Sequence, residues 1–507
     1  MPISLVSHVT DQDSSLRLWA GLAGFSADEQ LVWRINGSIS TPITIRQYHW
    51  PIHTGLHFQS LVVEFHNLPT DRIHTVELQA GDERTLRNFR TRINGVPAKD
   101  GQTFNLLLLS CFDNNMDKGG KSAKILSQLV PKPDWTILAG DQVYLDLPPL
   151  LNFVDDTPWL ENQFYKTYYK NWFNGSSNTN PQNEPVGYPS VLTLAPVAML
   201  PDDHEFWNNA PALSPWIGNT FTAKGRKRWW AAAAKAYEAF QLSASSLGSA
   251  CKLQQPPLSI LMLDTRTQRN AGGIFSNTTD NAGDLLGHSG QQQALEEWAS
   301  KLVESANTAT PQYGVLVTGQ SLFKEPAGFF EGKTTDYELA NYSYDYEFIL
   351  QQIERVSAAG LPVLCLTGDV HWGRVSCAQH VNNSYGKIYE FISSPTSLCQ
   401  YSNKRDMANV LLNHSLGVLR DLQLTRDYPF PEPPPARFGT RGLYTTTTIN
   451  NFALQNNKPL QGDMGLMLSF STVGRGLDVI VTYIPFPDTI PQKLQQRSMT
   501  LSLRPIV

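Results

Sequence analysis

The chain has 507 residues, 41% of them hydrophobic and 17% charged, with a formal net charge of -5. That length exceeds what one hydrophobic core usually serves, so two domains of an ordinary globular protein are expected. Nothing in the charge favours a polyanionic partner in bulk, and no apolar run approaches the ~20 residues needed to cross a bilayer, so no membrane partner is expected.

The first residues, MPISLVSHVTDQDSSLRLW, carry neither a basic region ahead of an apolar stretch nor a twin arginine, which argues against export by those routes. The five cysteines, Cys111, Cys251, Cys365, Cys377 and Cys399, are odd in number, widely spread and free of Cys-x-x-Cys pairs. That excludes a disulfide framework or a zinc knuckle and fits a cytoplasmic location. From Leu16 to Ile93, QLVWRING, PITIRQYHW, FQSLVVEFHNL and HTVELQAGDERTLRNFRTR alternate apolar with polar residues between Gly, Asn, Pro and Asp. Residues 1–98 therefore read as an N-terminal β-sandwich, a scaffold with no catalytic residue.

After the linker NGVPAKDGQ the pattern changes, and residues 99–507 read as an α/β domain. Apolar runs of strand length (FNLLLLS, WTILAG, APVAML, LSILMLD, YGVLVTG, LPVLCLTG) alternate with helical segments: SAKILSQLV, RKRWWAAAAKAYEAFQL, QQQALEEWASKLVESA and YEFILQQIERVSAAG. Continuous apolar strands between helices imply sheets covered on both faces. The RKRWW segment is read as a helix covering a sheet in preference to a nucleic-acid strip. Gly360 is placed to cap the last helix. IYEFISS, GLMLSFS and LDVIVTYIP are later strands, the last two joined at Gly474-Arg475-Gly476. YPFPEPPPARFGTRG is proline-dense and predicts a surface excursion. The role of the long segments 153–188 and 402–462 is left open by the sequence, although long excursions near an active site commonly act as lids or substrate walls.

Four apolar runs end in metal-ligand types: LLLLSCFD (106–113), WTILAGDQVYLD (135–146), VAMLPDDHEFWNN (197–209) and VLCLTGDVHWGR (363–374). Ligands of open α/β sheets gather beyond the carboxyl ends of strands, so these distant clusters can converge. An acid-rich set of this kind repels itself unless cations sit within it. A metal centre of more than one ion is therefore expected. Duller readings exist for single residues. Cys111 alone would be an inert buried thiol, Tyr144 and Trp372 amphipathic wall, and Asp113 and Asp146 turn or helix caps. Arg266 is open to two roles, an ion pair with Asp264 or a phosphate contact.

SCFD, GDQVYLD, DDHEFWNN, LDTRTQR, GDVH and EFISSPTS, in this order, resemble the PhoD-like alkaline phosphatase and phosphodiesterase branch of the calcineurin-like metallophosphoesterases. The resemblance runs from about Asn105 to Ser397. It implies a sandwich followed by an αββα catalytic domain of mixed sheets flanked by helices. It also implies that Cys111, Asp141, Tyr144 and His371 hold one metal, with Asp141 bridging to a second held by Asp203 and Asp369. In the wider superfamily the third block is Gly-Asn-His-Glu/Asp and the last Gly-His-x-His. Asp203 thus stands where an asparagine is usual, and Asp369 where a histidine is.

Oxygen ligands suit calcium, magnesium or manganese, whereas thiolate, phenolate and imidazole suit ferric iron. Iron with calcium is the pairing the resemblance implies, with manganese or zinc as alternatives. The implied activity is hydrolysis of small phosphate mono- or diesters by hydroxide held between two cations. Nucleic acid enters only as a substrate. His204 would stabilise charge or protonate the leaving alkoxide, with Asp202 orienting it. Arg266 and Arg374 would make forked contacts to phosphate, and Asn208 would bond the phosphate or complete a metal shell. The rival reading is a catalytically silent relative that binds a phosphorylated ligand or a partner protein, and such a relative is expected to have lost a ligand.

Overall fold

The computed structural model describes residues 2–51, 57–114, 116–147, 151, 154–173, 187–214, 217–270, 285–287, 290–326, 336–398, 436–439, 442–449, 462–487 and 496–506. Most of the 402–462 excursion and of its proline-dense part lies outside these residues. Among the described residues, no helix is long and apolar enough to cross a membrane. Cys111, Cys251, Cys365 and Cys377 are free thiols.

Among the described residues before 98, eight strands form: β1 (Ile3–His8), β2 (Leu16–Ala23), β3 (Leu31–Ile35), β4 (Ser38–Ile39), β5 (Ile43–Pro51), β6 (His57–Phe65), β7 (Ile73–Ala80) and β8 (Glu83–Arg90). In β7 the period of two is plain, with His74, Val76, Leu78 and Ala80 buried and Thr75, Glu77 and Gln79 partly exposed. Then come β9 (Phe104–Leu109), β10 (Trp135–Ala139), β11 (Val197–Leu200), β12 (Cys251–Gln255), β13 (Leu258–Met262), β14 (Tyr313–Thr318) and β15 (Val363–Thr367). The last strands are β16 (Arg374–His380), β17 (Ile388–Ile392), β18 (Tyr444–Thr448), β19 (Met464–Val473), β20 (Gly476–Pro485) and β21 (Arg497–Leu503). The helices are α1 (Lys121–Leu126), α2 (Thr157–Phe173), α3 (Tyr188–Leu192), α4 (Ala223–Phe240), α5 (Gln291–Ser305) and α6 (Ser343–Ala358).

The protein is mixed α/β. A ten-stranded sheet has the order β21-β20-β19-β9-β10-β11-β1-β2-β6-β5, a seven-stranded sheet the order β12-β13-β14-β15-β17-β16-β18, and a four-stranded sheet the order β4-β3-β7-β8. β9, β10 and β11 are parallel neighbours, as are β13, β14, β15 and β17. Leu106 and Leu108 of β9 and Ile137 of β10 meet Ile260, Val315 and Leu364 of the seven-stranded sheet in one core. Leu107 and Leu109 face the other way, against Leu126, Phe164, Trp229 and Phe240 of the helices α1, α2 and α4. The outer face of the seven-stranded sheet, with Leu316 and Cys365, packs on Trp298 of α5 and Ile353 of α6. Burial on both faces is why these strands read as unbroken apolar runs.

The N-terminal strands form a two-layer packing in which Leu18, Leu22 and Val63 meet Trp33, Val76 and Leu78. One of its layers is continuous with the ten-stranded sheet, because β1 runs parallel to β11 with His8 beside Val197. The back of that layer carries Trp19 and Phe58, which pack on α2 and α4. Phe58 stacks on Phe240 at 4.6 Å between ring centroids, and Trp19 Nε1 donates to the Ala239 carbonyl at 2.9 Å. The change of pattern at residues 98 and 99 is thus bridged by a shared sheet and a shared core.

The structure describes part of both excursions. Residues 157–173 form α2, whose Leu160, Phe164, Tyr168 and Trp172 are buried, so this part of 153–188 belongs to the core. Residues 444–448 form β18, hydrogen-bonded to β16 as an edge of the seven-stranded sheet. Gly360 follows α6 with φ of +80°, and Gly474 turns β19 into β20 with φ of +56°.

Phe58→Ala should cost about 3–5 kcal/mol, the usual range for a fully buried phenylalanine. Because the N-terminal strands share a sheet and a core with the rest, circular dichroism and tryptophan fluorescence should report one coincident, shifted unfolding transition. Separate melting of an N-terminal unit would show that the shared sheet does not couple the two parts.

Candidate metal centre

β9, β10 and β11 run parallel in one sheet, the residues that follow them meet those that follow β15 of the other, and the backbone there is unusual. Cys111, Asp141, Asp369 and His371 adopt left-handed conformations, with φ of 55°, 59°, 61° and 57°. Such a φ is uncommon outside glycine and costs of order 1–3 kcal/mol, so its recurrence marks a functional site. Two glycines allow the strand ends to close up. A Cβ on Gly140, whose φ is +88°, would lie 2.5 Å from Asp202 Cβ, and one on Gly368 would lie 2.4 Å from the Ala139 carbonyl oxygen. Backbone bonds then tie β9 to β10 beyond their ends, Cys111 N–H to Gly140 O at 3.1 Å and Phe112 N–H to Asp141 O at 2.8 Å.

Glu205 anchors the arrangement from beneath. Its buried carboxylate accepts the backbone N–H groups of Asp141 (2.8 Å), Gln142 (2.5 Å) and Asp202 (2.8 Å). Sequence reasoning passed over this residue, although the spacing Asp202-x-x-Glu205 is a capping signature.

Among the described residues, three groups of side chains each place one ligand atom per residue within 4.8 Å of one another: Cys111, Asp141 and His371; Asp141, Asp203 and His204; and Asp141, Asp202, Asp203 and Asp369. Asp141 belongs to all three. Tyr144 stands beside them, its ring 4.1 Å from that of His204. Among the described residues its buried hydroxyl has no hydrogen-bond partner, and neither has Asp202 Oδ2. Orphaned buried oxygens among carboxylates are costly, and a cation would satisfy both.

The electrostatics agree. Burial first, then neighbouring carboxylates, push Asp369 up to about 7 and Asp141 well above the usual carboxylate range. Burial raises Asp202 to about 7 and Asp203 to about 6, against the opposing pull of Arg266 on the first and His204 on the second. Burial and the charges of Asp141 and Asp369 raise the Cys111 thiol, and burial with Cys111 and Asp141 raises the Tyr144 phenol. Such groups ionise together only around positive charge. The residues present therefore fit a metal centre.

His204 is held by Asp146, whose Oδ2 meets Nδ1 and whose Oδ1 accepts the Asn208 N–H at 2.7 Å. This corrects the expectation that Asp202 orients the imidazole. Burial lowers the His204 pKa, but Asp146, Asp203 and Asp141 outweigh it and hold the ring well above its ordinary value. Asn208 is partly exposed, and its Oδ1 accepts from Ser214 Oγ at 3.4 Å.

The two arginines are not placed for the forked substrate contacts expected of them. Arg266 is fully buried and donates to Asp202 Oδ1 (2.7 Å), the Ala210 carbonyl (2.7 Å) and Asp336 Oδ2 (2.6 Å). Asp264, its expected partner, instead accepts the N–H groups of Gly248 and Thr267 as well as that of Arg266. Arg374 is buried, donates to Glu390 Oε2 at 3.1 Å and lies 4.6 Å above the Trp372 ring. Trp372 is itself buried, as wall. Asp113 serves a turn, its carbonyl accepting the N–H groups of Met116 (2.9 Å) and Asp117 (3.2 Å), while its own N–H donates to the Ser397 carbonyl at 2.8 Å. Ser394, from the EFISSPTS block, was given no role by sequence, yet its Oγ donates to Cys111 Sγ at 3.2 Å and accepts the His371 N–H at 3.0 Å.

No protein-family model matches the chain, and no curated protein does. Among solved structures, an amylomaltase from Corynebacterium glutamicum shares 9% identity at a TM-score of 0.14, over 70% of this chain and 54% of that one. The chain thus spans about half of that enzyme's length, and a likeness so low carries no argument.

The carboxylate shifts have a stability consequence. With Asp202 and Asp369 raised to about 7 and Asp203 to about 6, the metal-free folded state holds protons that the unfolded chain has released. These groups therefore contribute stability below about pH 4, which is lost as pH rises through about 6 to 7. Chelator-treated protein should melt at a lower temperature at about pH 8 than at about pH 5, and divalent cations should restore the loss chiefly at about pH 8. A melting temperature that is flat with pH and indifferent to metal would contradict the electrostatic account.

Proposed function

We propose that this chain is a metal-dependent phosphoric ester hydrolase of the PhoD-like kind, acting on small phosphate mono- or diesters. The observation that carries the reading is Asp141, shared by three ligand groups that join softer donors on one side to carboxylates on the other. Cys111, Tyr144, His371 and Asp141 would hold ferric iron; Asp141, Asp203, Asp369 and Asp202 would hold calcium. The layering of helices, two facing sheets and helices supports the metallophosphoesterase arrangement of the catalytic part.

Paired cations in such a site supply Lewis acidity toward the phosphoryl oxygens and lower the pKa of water. The chain's own residues do the rest. Asp141 fixes the spacing of the two halves, because its carboxylate serves both and its Oδ1 also accepts the His204 N–H at 3.2 Å. Asp146 holds His204 by Nδ1, which leaves Nε2 to pass a proton to the leaving alkoxide. The nearby carboxylates favour the protonated ring, as a general acid requires.

Purified protein should carry iron with visible absorption and hydrolyse p-nitrophenyl phosphate or its bis ester. Cys111→Ser should lose the absorption, and Asp141→Asn both metals and about a hundredfold or more of the activity, several kcal/mol of transition-state stabilisation. His204→Asn should keep its metals and lose about 10²–10⁴ in kcat. Metal-free protein, or none of these esters hydrolysed after iron, calcium, manganese or zinc is restored, would favour the silent binding module.

A further inference from the structure

One buried relay joins the two ends of the carboxylate half of the centre. Arg266 Nε donates to Asp202 Oδ1 and Nη2 to Asp336 Oδ2. Gln320 Nε2 donates to the same Asp336 oxygen at 2.7 Å and to Asp369 Oδ2 at 3.3 Å. Gln320 Oε1 in turn accepts from Arg269 Nη2 at 2.5 Å, and the Arg269 guanidinium rests 4.7 Å above the Tyr342 ring. The chain of contacts therefore runs Asp202, Arg266, Asp336, Gln320, Asp369, from the end of β11 to the end of β15.

On the cysteine side, Ser394 bonds Cys111 and His371. Glu205 lies beneath both halves, accepting the backbone N–H groups of Asp141 and Asp202.

Resting on the proposed function, we infer that Arg266 is a positioning residue for the oxygen-ligated ion alone, with Asp336 and Gln320 as its supports, and that it does not bind substrate. A buried guanidinium is planar and forked, so its two arms fix the plane of Asp202 against Asp336. Oδ1 of Asp202 is thereby occupied, whereas Oδ2 is buried with no hydrogen-bond partner among the described residues, in a carboxylate that belongs to one ligand group with Asp141, Asp203 and Asp369. Gly319 leaves the room this needs, since a Cβ there would lie 3.1 Å from Asp202 Cγ and Oδ1. The guanidinium also offsets part of the negative charge of a group that would otherwise hold four carboxylates. Partners of this kind, one bond behind a ligand, typically alter metal affinity by about 10–100-fold.

The test uses the full-length protein with its metals. Arg266→Lys keeps the charge and loses the fork. Asp336→Asn, at the partly exposed middle of the relay, keeps the volume and leaves a folded protein to measure if the first variant does not fold. Iron and calcium per chain, visible absorption, and the calcium concentration for half-saturation are read in both variants beside wild type. The expected result is calcium affinity weaker by about 10–100-fold, with iron content and absorption as in wild type. At saturating calcium, kcat should recover and KM should match wild type. A raised KM with calcium affinity unchanged would make Arg266 a substrate contact and overturn the inference. Joint loss of iron and calcium in a folded variant, or no change in either metal, would overturn it as well. Wild-type protein that binds neither ion would instead sink the proposed function, and the inference with it.

Discussion

Four carboxylates, those of Asp141, Asp202, Asp203 and Asp369, are packed so that their ligand atoms lie within 4.8 Å of one another. Three of them are buried. Much of the structure can be understood as the means of holding that unfavourable arrangement together. Like charges at this spacing raise one another's pKa and strain the fold unless they are compensated. Compensation inside the protein is partial, through Arg266 on Asp202 and the His204 ring beside Asp203 and Asp141. The same donor set could hold a metal ion.

Holding the carboxylates requires four strands to end together, and two features of the fold do this. Parallel neighbours within each sheet bring carboxyl ends to one side, and the shared core of Leu106, Ile137, Val315 and Leu364 fixes one sheet against the other. Left-handed turns at Cys111, Asp141, Asp369 and His371 then swing the side chains inward. Burial of long apolar strands on both faces outweighs the backbone cost, since each fully buried leucine or valine contributes roughly 1.5–3 kcal/mol against about 1–3 for each strained residue. The N-terminal strands add to the same frame by extending the ten-stranded sheet and covering α2 and α4 with Trp19 and Phe58.

The donor chemistry divides the centre. Thiol, phenol and imidazole lie on the Cys111 side, carboxylates on the Asp202 side, and Asp141 between them. Ser394 supports the first, Arg266 with Asp336 supports the second, and Glu205 lies beneath both. A further pair, His204 and Asp146, stands at the rim, where the imidazole is 14% exposed.

The apolar runs and the ligand types at their ends were legible in the sequence, because burial on both faces suppresses alternation and because metal-binding side chains are few in kind. Gly360 and Gly474 were legible for a local reason as well, since only glycine takes those backbone angles freely. Other features were invisible to it. α2 was hidden because aromatic and charged residues are mixed around Thr157–Phe173 with little periodicity, and its burial depends on partners from β6 and α4. The partners of Arg266 and His204 depend on which strand end faces which. Asp202 precedes His204 by two residues yet bonds Arg266, while Asp146, 58 residues away, holds the imidazole. The sequence by itself determined which residue types stand at the strand ends; the tertiary structure decided which of them touch, because contact between distant segments is set by sheet packing and not by order along the chain.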